Sequence, residues 1–152
     1  MPDLIFRRAT EADVPAIIGL LADDVLGSSR EATGTESYPQ YLDAFRVIDA
    51  DASQFLLVVD DGSKIVGTLQ LTFIPGLASR GLKRGQIEAV RVARDRRGEK
   101  IGEAMIDWAV EKCRREQCGT VQLTTDKTRT EAHRFYDRLG FQPSHLGYKL
   151  KL

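Results

Sequence analysis

Apolar residues recur along this chain in two rhythms. Val14, Ile17, Ile18 and Leu21 fall three and four apart, as do Tyr41, Ala44, Phe45 and Ile48. Ile101, Met105, Trp108, Ala109 and Cys113 form a third such stripe. That spacing puts each set on one helix face. Leu4 to Arg8, Gln54 to Asp60, Lys64 to Ile74, the run 86–92 and Thr120 to Thr125 are β-branched and apolar instead, and predict strands.

Punctuation sets the boundaries. Thr10 predicts a helix N-cap with Asp13 in the first turn, and Thr128 with Glu131 has capping-box spacing. The latter helix runs through Phe135 and Leu139 until Gly140 stops it. D-D-G-S after Val59 closes a hairpin. The stretches 27–39 and 75–85 read as loops, and Phe141 opens a last extended segment in which Tyr148 to Leu152 alternate. The order is β-α-α-β-β-β-α-β-α-β(-β). It implies one domain over 1–152, of α/β (α+β) class, with a mixed sheet of about six or seven strands between about four helices.

Composition narrows the setting. The chain has 152 residues, 42% hydrophobic and 29% charged, with formal net charge zero. No global field draws it to nucleic acid or to an anionic membrane. No run reaches the length of a membrane span, and M-P-D-L-I-F-R-R lacks a signal peptide's apolar core. Cys113 and Cys118 make neither a C-x-x-C pair nor a disulfide framework, so a reducing, cytoplasmic location is expected. Two histidines, His133 and His145, without clustered carboxylates or thiols predict no metal site.

The chemistry concentrates between Gln86 and Ala104. A strand, a glycine-containing turn and a helix start follow one another, and the first N–H groups of a helix lack intrahelical acceptors. Peptide dipoles add roughly half a positive charge there. Arg94, Arg96, Arg97 and Lys100 crowd the same turn. A diphosphate suits it. Neither G-x-x-x-x-G-K-[ST] nor G-x-G-x-x-G is present, which excludes the common nucleotide loops.

The string R97-G-E-K-I-G102 after V90-R-V92 resembles the acyl-CoA-binding motif Q/R-x-x-G-x-G/A of the GNAT N-acetyltransferase superfamily. Arg97 matches its first position and Gly102 its last, while Lys100 stands where that family usually has glycine; lysine is expected there in helical φ/ψ. A second string, A132-H-R-F-Y-D-R-L-G-F141, resembles the family's A-x-x-[LF]-Y-x-[KR]-x-G-F. The predicted order of elements matches the GNAT fold along the whole chain. The tail also resembles that of the aminoalkylphosphonate N-acetyltransferases within the superfamily.

The resemblance implies acetyl-CoA as cosubstrate and a small-molecule primary amine as acceptor. It implies contacts to the coenzyme from Val90, Arg91, Val92, Arg97, Gly98, Glu99, Lys100, Ile101, Gly102 and Glu103. Tyr136 falls on the tyrosine that protonates the leaving thiolate. Where the family often has an asparagine that contacts the pantetheine arm, this chain has Arg129, which either reaches a phosphate or is solvated. Similar proteins are commonly homodimers.

An alkylammonium has a pKa of about 10.4, so the acceptor must lose a proton before it attacks. Glu88 is expected on the Val90 and Val92 face, where apolar neighbours would raise its pKa to suit a general base. Direct attack is expected, with no acyl-enzyme. Several charged groups are weighed as bystanders: Asp23, Asp24, Glu31 and Glu36, on the early helix and loop, as a solvated acidic stretch rather than an attractor for a cationic amine, and Arg80, Lys83 and Arg84 as either a contact for an anionic acceptor or nothing. His145, in the expected final hairpin, is weighed as either a substrate contact or a bystander, and is not counted among the site residues. The competing readings are a non-catalytic acyl-CoA sensor, and a nucleic-acid binder, against which Asp95, Glu99 and the lack of stacking aromatics argue.

Overall fold

The computed structural model describes residues 3–24 and 26–152. The reading of the N-terminus as no signal peptide falls partly on Met1 and Pro2, outside that range. Five strands form one sheet in the order β1 (Ile5–Arg8), β2 (Gln54–Asp60), β3 (Ile65–Ile74), β4 (Arg84–Val92) and β5 (Thr120–Leu123). The first three pairings are antiparallel and β4–β5 is parallel. The helices are α1 (Val14–Ala22), α2 (Gly27–Arg30), α3 (Tyr38–Ala50), α4 (Ala78–Gly81), α5 (Ile101–Arg115) and α6 (Thr130–Arg138).

The sheet is mixed, as expected, and α5 lies on one face with α1 and α3 on the other. Met105, Ile106, Ala109 and Cys113 of α5 bury themselves against Leu57, Leu69, Leu71 and Ile87. Trp108 meets the Phe55 ring at 5.0 Å, so this stripe is core. The approach is close enough to require glycine beneath it: a Cβ on Gly85 would stand 2.2 Å from Cys113 Sγ. On the opposite face Val14, Ile17, Ile18 and Phe45 cover Val58.

The strand count is lower than expected, and the helix count higher. Two of the six helices, α2 and α4, are four-residue turns inside the segments read as loops; Ser79 and Arg80 of α4 have positive φ. The missing strands are at the C-terminus, where no strand follows α6 among the described residues. Phe141 packs on the core, and residues 142–152 run exposed. His145 therefore has no final hairpin around it; its Nδ1 lies 2.7 Å from Ser144 Oγ.

One helix start holds and another moves. Thr10 is the expected N-cap, of a 3-10 turn over Glu11–Asp13 that leads into α1, and Asp13 Oδ2 accepts the Thr10 N–H at 2.7 Å. Arg7 donates to the same carboxylate and pulls its pKa below the usual range. The expected capping box at Thr128 is replaced by a turn: Asp126 Oδ1 accepts from the Thr128 N–H and hydroxyl, and α6 begins at Thr130. An aspartate closing its own turn two residues on competes directly with a serine- or threonine-type cap.

Candidate active site

The sheet opens where β4 and β5 part. They pair only from Arg84–Thr120 to Ile87–Leu123, and β4 then continues five residues with no partner on that side. The cause is visible in the register with β3. Thr68 pairs Arg91 and Gln70 pairs Glu88, so β4 carries an extra residue at that point, a β-bulge. Ala89 takes φ +54° to make it. For a non-glycine residue that is a strained conformation, of the kind held at functional sites. No glycine or asparagine announces the bulge.

At the end of β4 the chain turns into the N-terminus of α5. Gly98 has φ +86° and Lys100 has φ +63°, ψ +21°. Lys100 is thus left-handed rather than helical, which explains why glycine suits the position. The N–H groups of Ile101, Gly102 and Glu103 have no intrahelical acceptor. They edge a cleft of about 460 Å³ lined by Val92, Arg97, Lys100, Phe135 and Arg138 among others. Phe135 packs beside Gly102, where a Cβ would meet the ring at 3.5 Å, an ordinary contact.

The four cations of this turn divide. Arg96 is bound by Asp61 and Glu99, and Arg94 by Asp23 at 2.8 Å. Three N–H and hydroxyl donors around Asp61, led by the Lys64 N–H, hold its carboxyl far below the ordinary range, with Arg96 adding to them. Glu99 therefore serves Arg96, and its side chain is spoken for. Among the described residues the Arg97 guanidinium reaches only the Asp23 carbonyl, at 3.4 Å. Arg97 and Lys100 are the cations of this turn without a carboxylate partner among the described residues.

Tyr136 is half-buried, its ring edge-on to Phe135 at 5.1 Å and to Phe141 at 5.8 Å. Burial raises its pKa above the ordinary phenol value, while Arg91 and Arg129 pull the other way. Glu88 is exposed and does not share the buried face of Val90 and Val92 on which it was expected. The bulge is the reason: it breaks the alternation that would put Glu88 on one face with Val90 and Val92, which pack on the core.

Asp24 is the residue that the sequence reading missed. It is not part of a solvated loop. Its Oδ2 lies 2.8 Å from Arg91 Nε and 3.2 Å from Arg129 Nη2. Its Oδ1 accepts the Gly27 N–H at 2.7 Å. Burial works to raise its pKa, but the Gly27 N–H and the two guanidiniums outweigh that and lower it. Arg129 is accordingly neither free nor solvated. Nothing local in the sequence pairs residue 24 with residues 91 and 129, so no signal marked it.

Two polar groups beside the opening remain incompletely bonded. Arg91 Nε is buried and, although ion-paired, is not aligned as a hydrogen bond to Asp24; the Thr125 hydroxyl, just past β5, is buried with no partner among the described residues. The basic segment around Arg84 lies elsewhere. Arg84 is at the opposite end of β4, seven residues or about 23 Å from Arg91, and Lys83 donates to the Glu116 carbonyl. Among the described residues no group of three or more metal-ligating side chains occurs, and no helix is long and apolar enough to cross a membrane.

The profile of the acetyltransferase (GNAT) family matches residues 21–141. The chain belongs to the GNAT acetyltransferase family. It is 27% identical over 148 residues to an aminoalkylphosphonate N-acetyltransferase of Salmonella typhimurium, covering 97% of this chain and 91% of that protein. Among solved structures, one described as a transcriptional regulator from Bacillus halodurans superposes with a TM-score of 0.95 at 42% identity, covering 99% of this chain and 100% of that one. A Clostridium acetobutylicum structure described as a predicted acetyltransferase with acetyl-CoA has a TM-score of 0.77 at 17% identity, covering 98% and 96%. As a member of this family the protein is an acyltransferase enzyme.

Proposed function

We propose that this GNAT enzyme transfers the acetyl group of acetyl-CoA to the primary amine of a small molecule that also carries an anionic group. One observation carries the reading: the unpaired stretch of β4 beyond Ile87 leads straight into the free N-terminus of α5. A ligand with an amide-rich arm and a diphosphate fits both ends of that path. The arm adds to β4 as a strand would. The diphosphate meets the N–H groups of residues 98–103, with Arg97 and Lys100 beside it.

When bound, acetyl-CoA supplies an activated thioester; the chain's own groups do the rest. N–H groups of the divided strand are fixed donors for developing negative charge. Tyr136 keeps its proton at neutral pH and can give it to a departing thiolate. Glu88, exposed at the opening, accepts a proton from the ammonium directly or through water. Cys113 takes no part: burial, with Cys118 beside it, pushes its thiol up to about 12, so no thiolate nucleophile forms.

The anionic part of the acceptor is inferred from Arg91 and Arg129 at the opening, two guanidiniums that share the single carboxylate of Asp24. Resemblance to the Salmonella typhimurium enzyme agrees with it. Arg80, Lys83 and Arg84 are not needed for this, since Lys83 and Arg84 serve the far end of the sheet. The reading is tested by following thiol release from acetyl-CoA with a panel of amines, among them aminoalkylphosphonates and neutral amines of equal length. The proposal expects amine-dependent release that is fastest with the phosphonates. Coenzyme A binding without release from any amine would favour the sensor reading instead.

A further inference from the structure

Two buried side-chain polar atoms have no hydrogen-bond partner among the described residues, and they stand on the two lips of the same split. Arg91 Nε belongs to the unpaired half of β4, where Asp24 at least ion-pairs it. Thr125 Oγ1, past the end of β5, has nothing. A threonine hydroxyl can both donate and accept, and native structures seldom bury one unbonded without a use for it. Other threonines of this chain show the ordinary outcome. The Thr68 hydroxyl donates to the Leu57 carbonyl at 2.8 Å, and the Thr128 hydroxyl to Asp126 Oδ1 at 2.7 Å.

Register places Thr125 along the split. The last pair of β4 and β5 is Ile87 with Leu123. Thr124 is exposed and Thr125 is not, so the alternation of β5 carries on through it. Counted from Leu123, and allowing for the extra residue at Ala89, Thr125 stands level with Val90, roughly 6–7 Å past the final pair. That is the stretch of β4 along which the coenzyme's arm is proposed to lie. An arm paired to β4 as a strand satisfies one row of its amide groups there and turns the other row towards β5. β5 ends at Leu123, so no strand continues on that side to meet the second row.

We propose, resting on the acetyl-CoA reading above, that the Thr125 hydroxyl meets that second row as the hydrogen-bond partner of an arm amide, a further cosubstrate-binding residue. Arg129 does not fill the part. It stands where similar proteins often have an asparagine that contacts the arm, but its guanidinium is held by Asp24 at 3.2 Å. The contact from the β5 side thus passes from position 129 to position 125, from a side chain engaged by the fold to one the fold leaves unbonded. The arm's amides are unchanged by the transfer, so this bond strengthens ground state and transition state alike. It acts on binding and KM, and not on kcat.

Isothermal titration calorimetry, thermal melting and kinetics of the parent, Thr125→Val and Thr125→Ser test this. Without ligand the valine variant should melt no lower than the parent, since it removes an unbonded buried hydroxyl. Its dissociation constants for coenzyme A and acetyl-CoA should both rise about three- to thirtyfold, with kcat within about twofold of the parent. The serine variant keeps the hydroxyl and should bind both within about threefold of the parent. Adenosine 3′-phosphate 5′-diphosphate has the diphosphate and lacks the arm, so its binding should not change in either variant. A valine variant that binds coenzyme A as tightly as the parent overturns the proposal. So does equal weakening of the armless nucleotide, or a loss confined to kcat, which would put the hydroxyl at the reacting carbonyl instead. If the valine variant fails to fold, a crystal of the parent with coenzyme A decides: Thr125 Oγ1 within about 3.2 Å of an arm amide supports the contact, and a greater distance overturns it. A parent that binds no coenzyme A overturns the underlying reading as well.

Discussion

Asp24 Oδ2 sits 2.8 Å from Arg91 Nε, and so ties the end of α1 to the unpaired half of β4. The same carboxylate holds Arg129 at the start of α6. Three elements that meet at the opening of the sheet are thus held by one side chain. Replacing it by asparagine leaves two partly buried guanidiniums without their counter-ion. Asp24→Asn should lower stability by about 1–3 kcal/mol in urea denaturation. Because Asp24 has a lowered pKa when folded, its contribution is present above the unfolded value near 4 and is lost as pH falls through the folded one. The variant should accordingly show a shallower loss of stability below pH 4 than the parent.

Gly27 supports the same clamp from behind. A Cβ there would stand 1.9 Å from the Leu21 carbonyl oxygen, a backbone atom that cannot step aside. Gly27→Ala should therefore displace the Asp24 turn and cost about 1–3 kcal/mol, while leaving the α5 end of the site intact. Coenzyme A affinity within about twofold of the parent, beside a lowered melting temperature, is the expected pair of measurements.

Tyr136 should separate chemistry from binding. Tyr136→Phe keeps the stacking on Phe135 and Phe141 and removes only the hydroxyl. Turnover should fall ten- to a hundredfold with coenzyme A affinity nearly unchanged. Since burial raises the phenol's pKa, its proton is retained past the ordinary value, and any alkaline loss of kcat due to Tyr136 should lie above pH 10. An equally active phenylalanine variant would remove Tyr136 from the mechanism.

Lys100 is held in a left-handed conformation that favours glycine. Relief of that strain, less the entropy that glycine costs, should make Lys100→Gly more stable by roughly 0.5–1 kcal/mol. Lys100→Ala keeps the strain and should show no such gain. Both remove a cation, so if Lys100 assists a diphosphate, both should weaken coenzyme A binding in low salt and differ from the parent less in high salt.

These residues also mark how far the sequence could be read. The α5 stripe, the β2–β3 hairpin and the helix start after Arg97 were legible because each is local: a period, a turn, a string. The family resemblance and the position of Tyr136 followed from such strings. Lys100 was misjudged because its neighbours imply a helix, whereas φ there is set by the turn before it. Glu88 was placed by simple alternation, and a one-residue bulge at Ala89 with no compositional mark undid that. Asp24 was invisible because its partners come from the far end of the chain. The last strand was expected from a true alternation in residues 148–152, but alternation without a paired edge makes no strand, and none follows α6 among the described residues.

The account rests on the turn around Gly98 holding the coenzyme's diphosphate while its arm follows β4. A crystal structure of the protein with coenzyme A is the most direct measurement. It should show diphosphate oxygens within hydrogen-bond distance of N–H groups from residues 98–103, Arg97 alongside, and the pantetheine paired to the backbone of Val90 to Val92. Coenzyme A bound elsewhere, or that turn bare at saturating coenzyme A with β4 and β5 still parted, would contradict it.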